Sequence, residues 1–392
     1  MDRSTLSPHP AAVATPAATV DSVRTVRRAD PAHPSRAPRA VDLRPVDLPA
    51  VPLTGEDFPG RRGFLNTATL GLPCTATLAA LDVALAQWSA GSGGPGPWDE
   101  PVGRARTLFA GLVGVPASWV SVASHVSAVI GTLAASLPSG ATVLTADGDF
   151  TSVLFPFLAQ RERGVRVRSV PLDRLLDALD SRVDWVAVSA VQSATGAVLD
   201  LDGLAERADA VGARVCLDAT QAAGWLPVDA GRFAMVTCAG YKWLSNPRGT
   251  CFTSMRPEAT ADVVPHLAGW YAGPDALGTF YGAPLRLAPD ARRFDLSPAW
   301  FSWIGAVAPL EILTRIGVAA VHRHDVGLAD GFRARLGLAP AGSAIVSVEA
   351  SDSVRARLAA AGVVTAGREG RVRLAFHHYN DATDVDRAAS CW

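Results

Sequence analysis

The 392-residue sequence contains little lysine, little cysteine and almost no net charge. Its five cysteines are an odd number without a Cys-x-x-Cys pair, so neither a disulfide framework nor a zinc site is indicated, and we expect a reducing, cytoplasmic location. With 36 basic and 37 acidic residues the chain has a formal charge of −1. Such a chain has no field that would attract nucleic acid or an anionic membrane, so we expect neither as a partner.

Three patterns are also missing. The stretch 108–146 has no charged side chain, but prolines, glycine and His125 interrupt it, so no run of about 20 apolar residues could span a membrane. No apolar segment follows the arginine pair at 27–28, so we expect no secretory or twin-arginine signal. No Gly-x-Gly-x-x-Gly follows the first predicted strand, which weakens the hypothesis of a dinucleotide-dependent oxidoreductase.

The scarcity of lysine carries the most information. Of the 36 basic residues one is lysine, Lys242, and the other 35 are arginine. Lysine can form an imine with an aldehyde, whereas arginine cannot. By itself, a single lysine is explained equally well by an arginine-biased genome and by a chemical requirement. The residues near Lys242 are needed to distinguish these two explanations.

The fold class follows from the alternation of apolar segments. A composition of 49% hydrophobic and 19% charged residues is that of a soluble globular protein. Helical periodicity at 127–137 and 201–211 alternates with short β-branched runs, which we interpret as strands at 119–123, 142–145, 165–170, 185–189, 215–217, 234–237 and 250–253. This alternation predicts an α/β fold with a mostly parallel seven-stranded sheet covered by helices on both faces.

Changes in composition predict four regions. Residues 1–50 are rich in Pro, Ala and Arg and lack apolar periodicity, so we expect a disordered tail. Residues 105–295 form the predicted large domain, and 296–392 a smaller α+β domain against which the segment 51–104 packs. Within the small domain we predict helices at 298–316, 318–335 and 354–361, a last helix from 381, and strands at 344–348, near 363 and at 372–376.

Two polar residues follow neighbouring predicted strands. Asp218 ends one strand, and Lys242 comes shortly after another. The carboxyl ends of parallel strands lie at one edge of a sheet, where ligands bind, so both side chains are expected in one cleft. Asp218 with Gln221 also fits a capping box at a helix start. An amine and a carboxylate in one cleft suit pyridoxal 5'-phosphate: the amine holds its aldehyde, and the carboxylate keeps its ring nitrogen protonated.

With these motifs, the sequence from Phe64 to the C-terminus resembles the class V aminotransferase family. This family of fold-type I pyridoxal phosphate enzymes includes cysteine desulfurases, kynureninase and isopenicillin N epimerase-like proteins. The resemblance implies that Lys242 is the catalytic, cofactor-bearing residue. It also implies cofactor contacts from Val126, Ser127, Phe150, Ser193, Asp218, Gln221, Tyr241 and Ser297. Taken singly, Ser127 also fits a helix N-cap, and Phe150 also fits a core position.

The resemblance also implies how the substrate is held. Arg373 matches the arginine that binds the substrate α-carboxylate, and Asn66 lies in a segment at the active-site mouth. Ser297 lies in a segment that reaches the partner's phosphate in the family, so a homodimer is expected. His322 and His324 form a His-x-His pattern on a polar helix face, to which we assign no metal.

The cofactor leaves several reactions open. We expect transamination or C–S/β-elimination on a small amino acid, with epimerisation or a non-catalytic binding protein on the same fold as alternatives. Cysteine desulfuration is disfavoured because the loop 362–371, where those enzymes carry a nucleophilic cysteine, has none.

Overall fold

The structure is a computed structural model that describes residues 57–392. The predicted tail, 1–50, lies outside the described residues, as do residues 51–56 of the predicted N-terminal segment.

The large sheet has seven strands, in agreement with the prediction. Its strands are β1 Val120–Ala123, β2 Thr142–Ala146, β3 Arg166–Val170, β4 Trp185–Ser189, β5 Arg214–Asp218, β6 Met235–Ala239 and β7 Cys251–Met255. They lie in the order β1-β7-β6-β5-β4-β2-β3, in which only β7 pairs antiparallel with its neighbours. The parallel strands β2, β4, β5 and β6 therefore end at one edge of the sheet.

Helices cover both faces of this sheet. In chain order the helices of residues 57–392 are α1 Thr75–Ser89, α2 Pro95–Leu112, α3 Val126–Ser136, α4 Thr151–Leu158, α5 Leu175–Ala178, α6 Leu201–Val211, α7 Pro257–Thr260, α8 Trp300–Ile304, α9 Val307–Ile316, α10 Val318–Arg335, α11 Asp352–Ala360 and α12 Ala382–Ala389. Of these, α10, α11 and α12 contribute buried residues to the core of the small sheet. Alternate residues of a strand point to opposite faces. Ala187 accordingly packs with α3 and α4, while Val186 and Val188 pack with α2 and α6.

A second sheet of three antiparallel strands lies toward the C-terminus. It consists of β8 Ile345–Val348, β9 Ala366–Arg368 and β10 Arg371–Ala375, in the order β8-β10-β9. The chain near Phe64 adds to it, because Asn66 forms a parallel bridge with Ala375 and Leu65 is buried in the same core. This arrangement supports our proposal that the N-terminal segment belongs with the small domain.

Two predicted elements differ from the structure. The single helix predicted at 298–316 is wrong, because α8 and α9 are separate helices with Gly305 between them. The Gly305 carbonyl accepts a hydrogen bond from Thr77 (2.9 Å), and a Cβ at Gly305 would lie 2.5 Å from Pro247. The strand predicted near 363 lies instead at Ala366–Arg368.

No single helix among residues 57–392 is both long and apolar enough to cross a membrane. The segment Trp300–Ile316, which contains α8 and α9, passes this test of length and composition only together with α10 (Val318–Arg335), and the two segments meet at an angle of 86°.

A buried ion pair fixes the segment before α8 against the large sheet. The Asp295 carboxylate accepts two hydrogen bonds from Arg106 (3.0 and 2.7 Å) and one from the Val122 backbone N–H (2.8 Å). Both side chains are almost fully buried. Removing one partner would leave the other charged group desolvated without compensation.

We therefore expect Asp295→Asn to destabilise the fold by about 3 kcal/mol, because it strands the Arg106 guanidinium in the interior. The matched control is Glu311→Gln, which breaks the exposed pair with Arg104 and should change stability by less than about 1 kcal/mol. Urea denaturation of both variants measures the difference. Equal losses in the two variants would contradict the assignment.

Candidate active site

A cavity of about 290 Å³ opens at the carboxyl ends of the parallel strands. Ser189, Asp218 and Ala239, the last residues of β4, β5 and β6, contribute to its wall. The predicted site residues that line it are Val126, Ser127, Phe150, Ser193, Asp218, Gln221, Tyr241 and Lys242. The structure thus brings together residues spread over more than a hundred positions of sequence.

Lys242 lies in a tight turn directly after β6. A Cβ at Gly71 would lie 2.1 Å from the Lys242 carbonyl oxygen, so only glycine permits the N-terminal segment to approach this turn. The Lys242 side chain is 6% exposed. Its Nζ lies 5.3 Å from the centre of the Phe150 ring and 5.8 Å from that of Tyr241. The lone amine of the chain is therefore buried and enclosed by aromatic rings.

The surroundings of Lys242 adjust its proton affinity. Burial lowers the pKa of Lys242 to about 8, because the charged ammonium loses hydration. The Asp218 carboxylate opposes this shift, whereas the guanidinium of Arg373 adds to it. A larger share of Lys242 is consequently unprotonated near neutral pH than for an exposed lysine.

Asp218 is buried at the end of β5 and faces the same cavity. Its carboxylate accepts the backbone N–H of Thr220 (2.8 Å), whose hydroxyl in turn accepts the N–H of Ala239 (3.0 Å), so the ends of β5 and β6 are tied together. Burial raises the pKa of Asp218, which makes its carboxylate a strong acceptor for a protonated ring nitrogen.

The opposite part of the cavity suits an anion. Helix α3 begins at Val126, and no side chain caps its N-terminus, so the first N–H groups and the positive end of the helix dipole are available. Arg248 also lines the cavity, with its guanidinium carbon 4.7 Å from the centre of the Tyr241 ring. Arg248 was not among the predicted site residues, although it lies only six positions after Lys242 in the same loop.

Phe150 lines one side of the cavity, and Asp149 precedes it in the chain. Phe150 is 45% exposed, which is unusual for a core phenylalanine but appropriate for a ring that stacks on a bound molecule. Asp149 holds this segment in place, because its carboxylate accepts the N–H groups of Phe150 (2.7 Å) and Ser189 (2.8 Å). Asp149 was not among the predicted site residues, and its contacts make it a residue that positions Phe150.

Gln221, Ser193 and Arg373 form a connected hydrogen-bond network. The Gln221 amide Nε2 donates to the Ala68 carbonyl (2.9 Å) and to Ser193 Oγ (3.0 Å), and Arg373 also donates to Ser193 Oγ (3.1 Å). Both Gln221 hydrogens are therefore used within the protein. The bond predicted from Gln221 to a cofactor oxygen would have to replace or share one of them.

Three predicted site residues do not line the cavity: Asn66, Ser297 and Arg373, of which Arg373 bonds Ser193 on its wall. Asn66 bridges Ala375 through its backbone, while its side-chain oxygen is buried without a hydrogen-bond partner among residues 57–392. Ser297 is exposed. Within the same residues no three His, Cys, Asp or Glu side chains are grouped to hold a metal ion, and His324 instead bonds the carbonyl of Asn380 (3.0 Å).

A buried pair on the small-domain side fixes the Lys242 turn from behind. His377 Nδ1 lies 2.9 Å from Asp325 Oδ2, and His377 Nε2 lies 2.8 Å from the carbonyl oxygen of Trp243, the residue after Lys242. Burial raises the pKa of Asp325 well above its usual range and lowers the pKa of His377 to about 3. We infer a neutral pair in which the Asp325 carboxyl donates to Nδ1 and Nε2–H donates to Trp243. The second Asp325 oxygen has no partner among the described residues, which costs less for a neutral acid than for an anion.

The family model for "Aminotransferase class-V" matches residues 100–365. A Bacillus subtilis (strain 168) protein named as an uncharacterized aminotransferase, YcbU, is 27% identical over 316 residues, covering 74% of this chain and 84% of that protein. A protein of Methanothermobacter thermautotrophicus named "Probable cysteine desulfurase" is 26% identical over 251 residues, covering 59% of this chain and 60% of that protein. The comparisons therefore give no support to the exclusion of cysteine desulfuration.

Solved structures share the fold. The cysteine desulfurase CsdA from Escherichia coli superposes with a TM-score of 0.73 at 19% sequence identity, covering 86% of this chain and 96% of that one. This likeness confirms the predicted fold-type I architecture.

We expect the single lysine side chain to titrate near pH 8 in the cofactor-free protein, because burial disfavours its charged form. With lysine labelled at ¹³Cε, one resonance reports Lys242 alone, and urea-unfolded protein supplies the ordinary midpoint of about 10.4. Asp218→Asn should lower the midpoint further, because the variant loses the carboxylate that favours the ammonium. A folded-state midpoint above 10 would contradict the burial of this amine.

We expect Asp325→Asn to cost no more than about 1 kcal/mol, because an amide N–H can replace the carboxyl O–H that donates to His377. Asp325→Leu removes the donor and should cost about 2 kcal/mol. Urea denaturation separates the two variants. If the pair were ionic, Asp325→Asn would strand a charged imidazole and cost about 3–5 kcal/mol.

Proposed function

The chain belongs to the class-V aminotransferase family of pyridoxal phosphate enzymes that act on amino acids, and we propose that it removes the Cα proton of a small amino acid with Lys242 as the base. The observation that carries this proposal is one buried amine in a cavity that also contains a buried carboxylate and an anion-binding end. Pyridoxal phosphate fits this set, because its aldehyde, ring nitrogen and phosphate would each have a matching group: the amine, the carboxylate and the anion-binding end.

Each part of the cofactor has protein residues to hold it. We assign the phosphate to the N-terminus of α3 at Val126 and Ser127, with Tyr241 and Arg248 alongside. Asp218 is assigned to the ring nitrogen. When bound, pyridoxal phosphate supplies an electron sink for the substrate Cα.

Further contacts complete this assignment. Phe150 would stack on the cofactor ring, and Gln221 and Ser193 would contact its polar edge. The exposed position of Ser297 suits a contact with the phosphate of a partner subunit, so we also propose a homodimer.

We assign different parts of the substrate to Lys242 and Arg373. Arg373 is assigned to the α-carboxylate, since its planar guanidinium matches a carboxylate. The proton then passes from Cα to Lys242 Nζ, for which a pKa of about 8 is suitable: the amine is a competent base at neutral pH and can return the proton.

We propose transamination or β-elimination as the outcome. No cysteine lines the cavity, and all five cysteines of the chain are buried. The geometry therefore favours products released to solution over a sulfur atom transferred to a cysteine of this chain.

We expect purified holoenzyme to be yellow, and borohydride to attach the cofactor to the peptide that contains Lys242. Lys242→Ala should lose this attachment and at least about 100-fold of the turnover, because it removes the base. Lys242→Arg is the matched control: it keeps a cation but cannot form an imine, and should fail equally. Attachment at any other residue would overturn the assignment.

The same assay separates the outcomes. A panel of small amino acids is analysed for keto acid, ammonia, sulfide and inverted configuration. Keto acid formed with an acceptor keto acid indicates transamination, and keto acid with ammonia indicates elimination. Loss of turnover after cysteine alkylation would instead favour desulfuration, and silence across the panel would reject an amino-acid enzyme.

A further inference from the structure

We propose that the substrate carries a second anionic group, which Arg368 binds while Arg373 holds the α-carboxylate. The substrate class is thus an amino acid with a side-chain carboxylate or an equivalent anion. This inference rests on the proposed function, because it extends the substrate site described above.

The hairpin of β9 and β10 places three arginines on one face. Arg368 pairs directly with Arg371 across the hairpin, and Arg373 lies two residues further along β10. Directly paired residues of an antiparallel hairpin, and residues two apart on one strand, share a face. The three guanidinium groups therefore project from the same side of the small sheet.

Two of these arginines converge on one hydroxyl. Arg373 donates to Thr69 Oγ1 (2.8 Å), and Arg368 donates to the same oxygen (3.3 Å). Two groups that share one oxygen are close enough to be bridged by one small ligand. Arg373 also reaches Ser193 on the cavity wall, so the pair adjoins the predicted cofactor site.

The pair lacks anionic partners within the described chain. Arg371 makes an ion pair with Glu349 (3.0 Å), whereas neither Arg368 nor Arg373 pairs with a carboxylate of residues 57–392. The neighbouring Glu369 makes no ion pair with Arg368 in this part of the chain. Arg373 is 1% exposed, and its Nε is buried without a hydrogen-bond partner there. Such a group is poised to bind an anion from outside the protein.

Like charges in a partly buried site repel each other, and the pKa values of Arg373 and Lys242 are lowered in part by this repulsion. Burial, and then the charge of Arg368, lower the pKa of Arg373 to about 10. Arg368 also helps to lower the pKa of Lys242. One α-carboxylate neutralises one of the two guanidinium groups, and a second anion on the substrate would neutralise the other.

The difference in solvent exposure between Arg373 and Arg368 indicates which anionic group of the substrate each one binds. Arg373 is buried beside Ser193, whereas Arg368 is half-buried at the end of β9, next to the hairpin turn. The α-carboxylate must lie near Lys242, so it belongs to Arg373. The second anionic group of the substrate would then lie nearer to solvent, at Arg368.

The test compares the binding of glutarate and butyrate, which differ by one terminal carboxylate, to holoenzyme by calorimetry. We expect wild-type protein to bind glutarate at least about tenfold more tightly than butyrate, an advantage that needs the second guanidinium. Arg368→Gln should bind both ligands equally, while Arg368→Lys should keep part of the advantage. Arg371→Gln, on the same face but already paired with Glu349, should leave the advantage unchanged.

Two results would overturn the inference. One is equal binding of the two ligands, or no binding, by wild-type holoenzyme. The other is an equal loss of butyrate and glutarate affinity in Arg368→Gln, which would mean that both arginines clamp a single carboxylate. The unchanged absorbance of bound cofactor confirms that the variant is folded.

Kinetics then separate this inference from the proposed function. In Arg368→Gln, kcat/KM should fall at least about tenfold more for glutamate than for norvaline, because only glutamate has the distal carboxylate. Selective glutarate binding with no turnover of any amino acid would leave the anion site standing and reject the proposed reaction. Turnover of norvaline and glutamate with equal efficiency in wild-type enzyme would reject the anion site alone.

Discussion

The burial of one amine at the end of β6 is the constraint on which the site depends. Lys242 is held at low exposure by contacts from three directions: Gly71 against its carbonyl, Phe150 near its Nζ, and His377 behind the following residue. Burial lowers the pKa of the amine to about 8, so a larger share of it is unprotonated near neutral pH than for an exposed lysine. We propose this amine as the base. The other groups of the site are arranged around this amine: Asp218 and Arg373 affect its pKa, and Phe150 lies beside its Nζ.

Hydrogen bonds connect the small sheet to the large sheet, in addition to packing. His377, just beyond β10, holds the Trp243 carbonyl, and the Trp243 indole N–H donates to Gln221 Oε1 (2.8 Å). Gln221 then bonds Ser193, to which Arg373 of β10 also donates. The chain of bonds therefore leaves the small sheet, passes behind the lysine turn and returns to β10. A shift of the small sheet would move Lys242 and Arg373 together, the two residues to which we assign the proton and the substrate carboxylate.

Periodicity in the sequence predicted the secondary structure and the positions of residues at strand ends, but not contacts between distant residues. Strand β4 and helix α6 have the bounds that periodicity indicates, and the placement of Asp218 and Lys242 follows from the rule for parallel sheets. The pairing of Asp325 with His377 could not be predicted, because it joins residues 52 positions apart whose chemistry only burial reveals. The break between α8 and α9 was missed for the same reason, since the partner of the Gly305 carbonyl is the distant Thr77.

The balance of charge explains why the other cations of the site are arginines. Arg248 lines the cavity, Arg373 bonds Ser193 on its wall, and Arg368 shares Thr69 with Arg373, so positively charged groups are concentrated here for ligands to neutralise. A second primary amine here would compete with Lys242 for the aldehyde of the cofactor. Guanidinium groups bind phosphate and carboxylate as well or better and do not form imines. On our assignment, restricting this site to one lysine would therefore fix where the cofactor is attached, while the arginines would bind anions without forming imines.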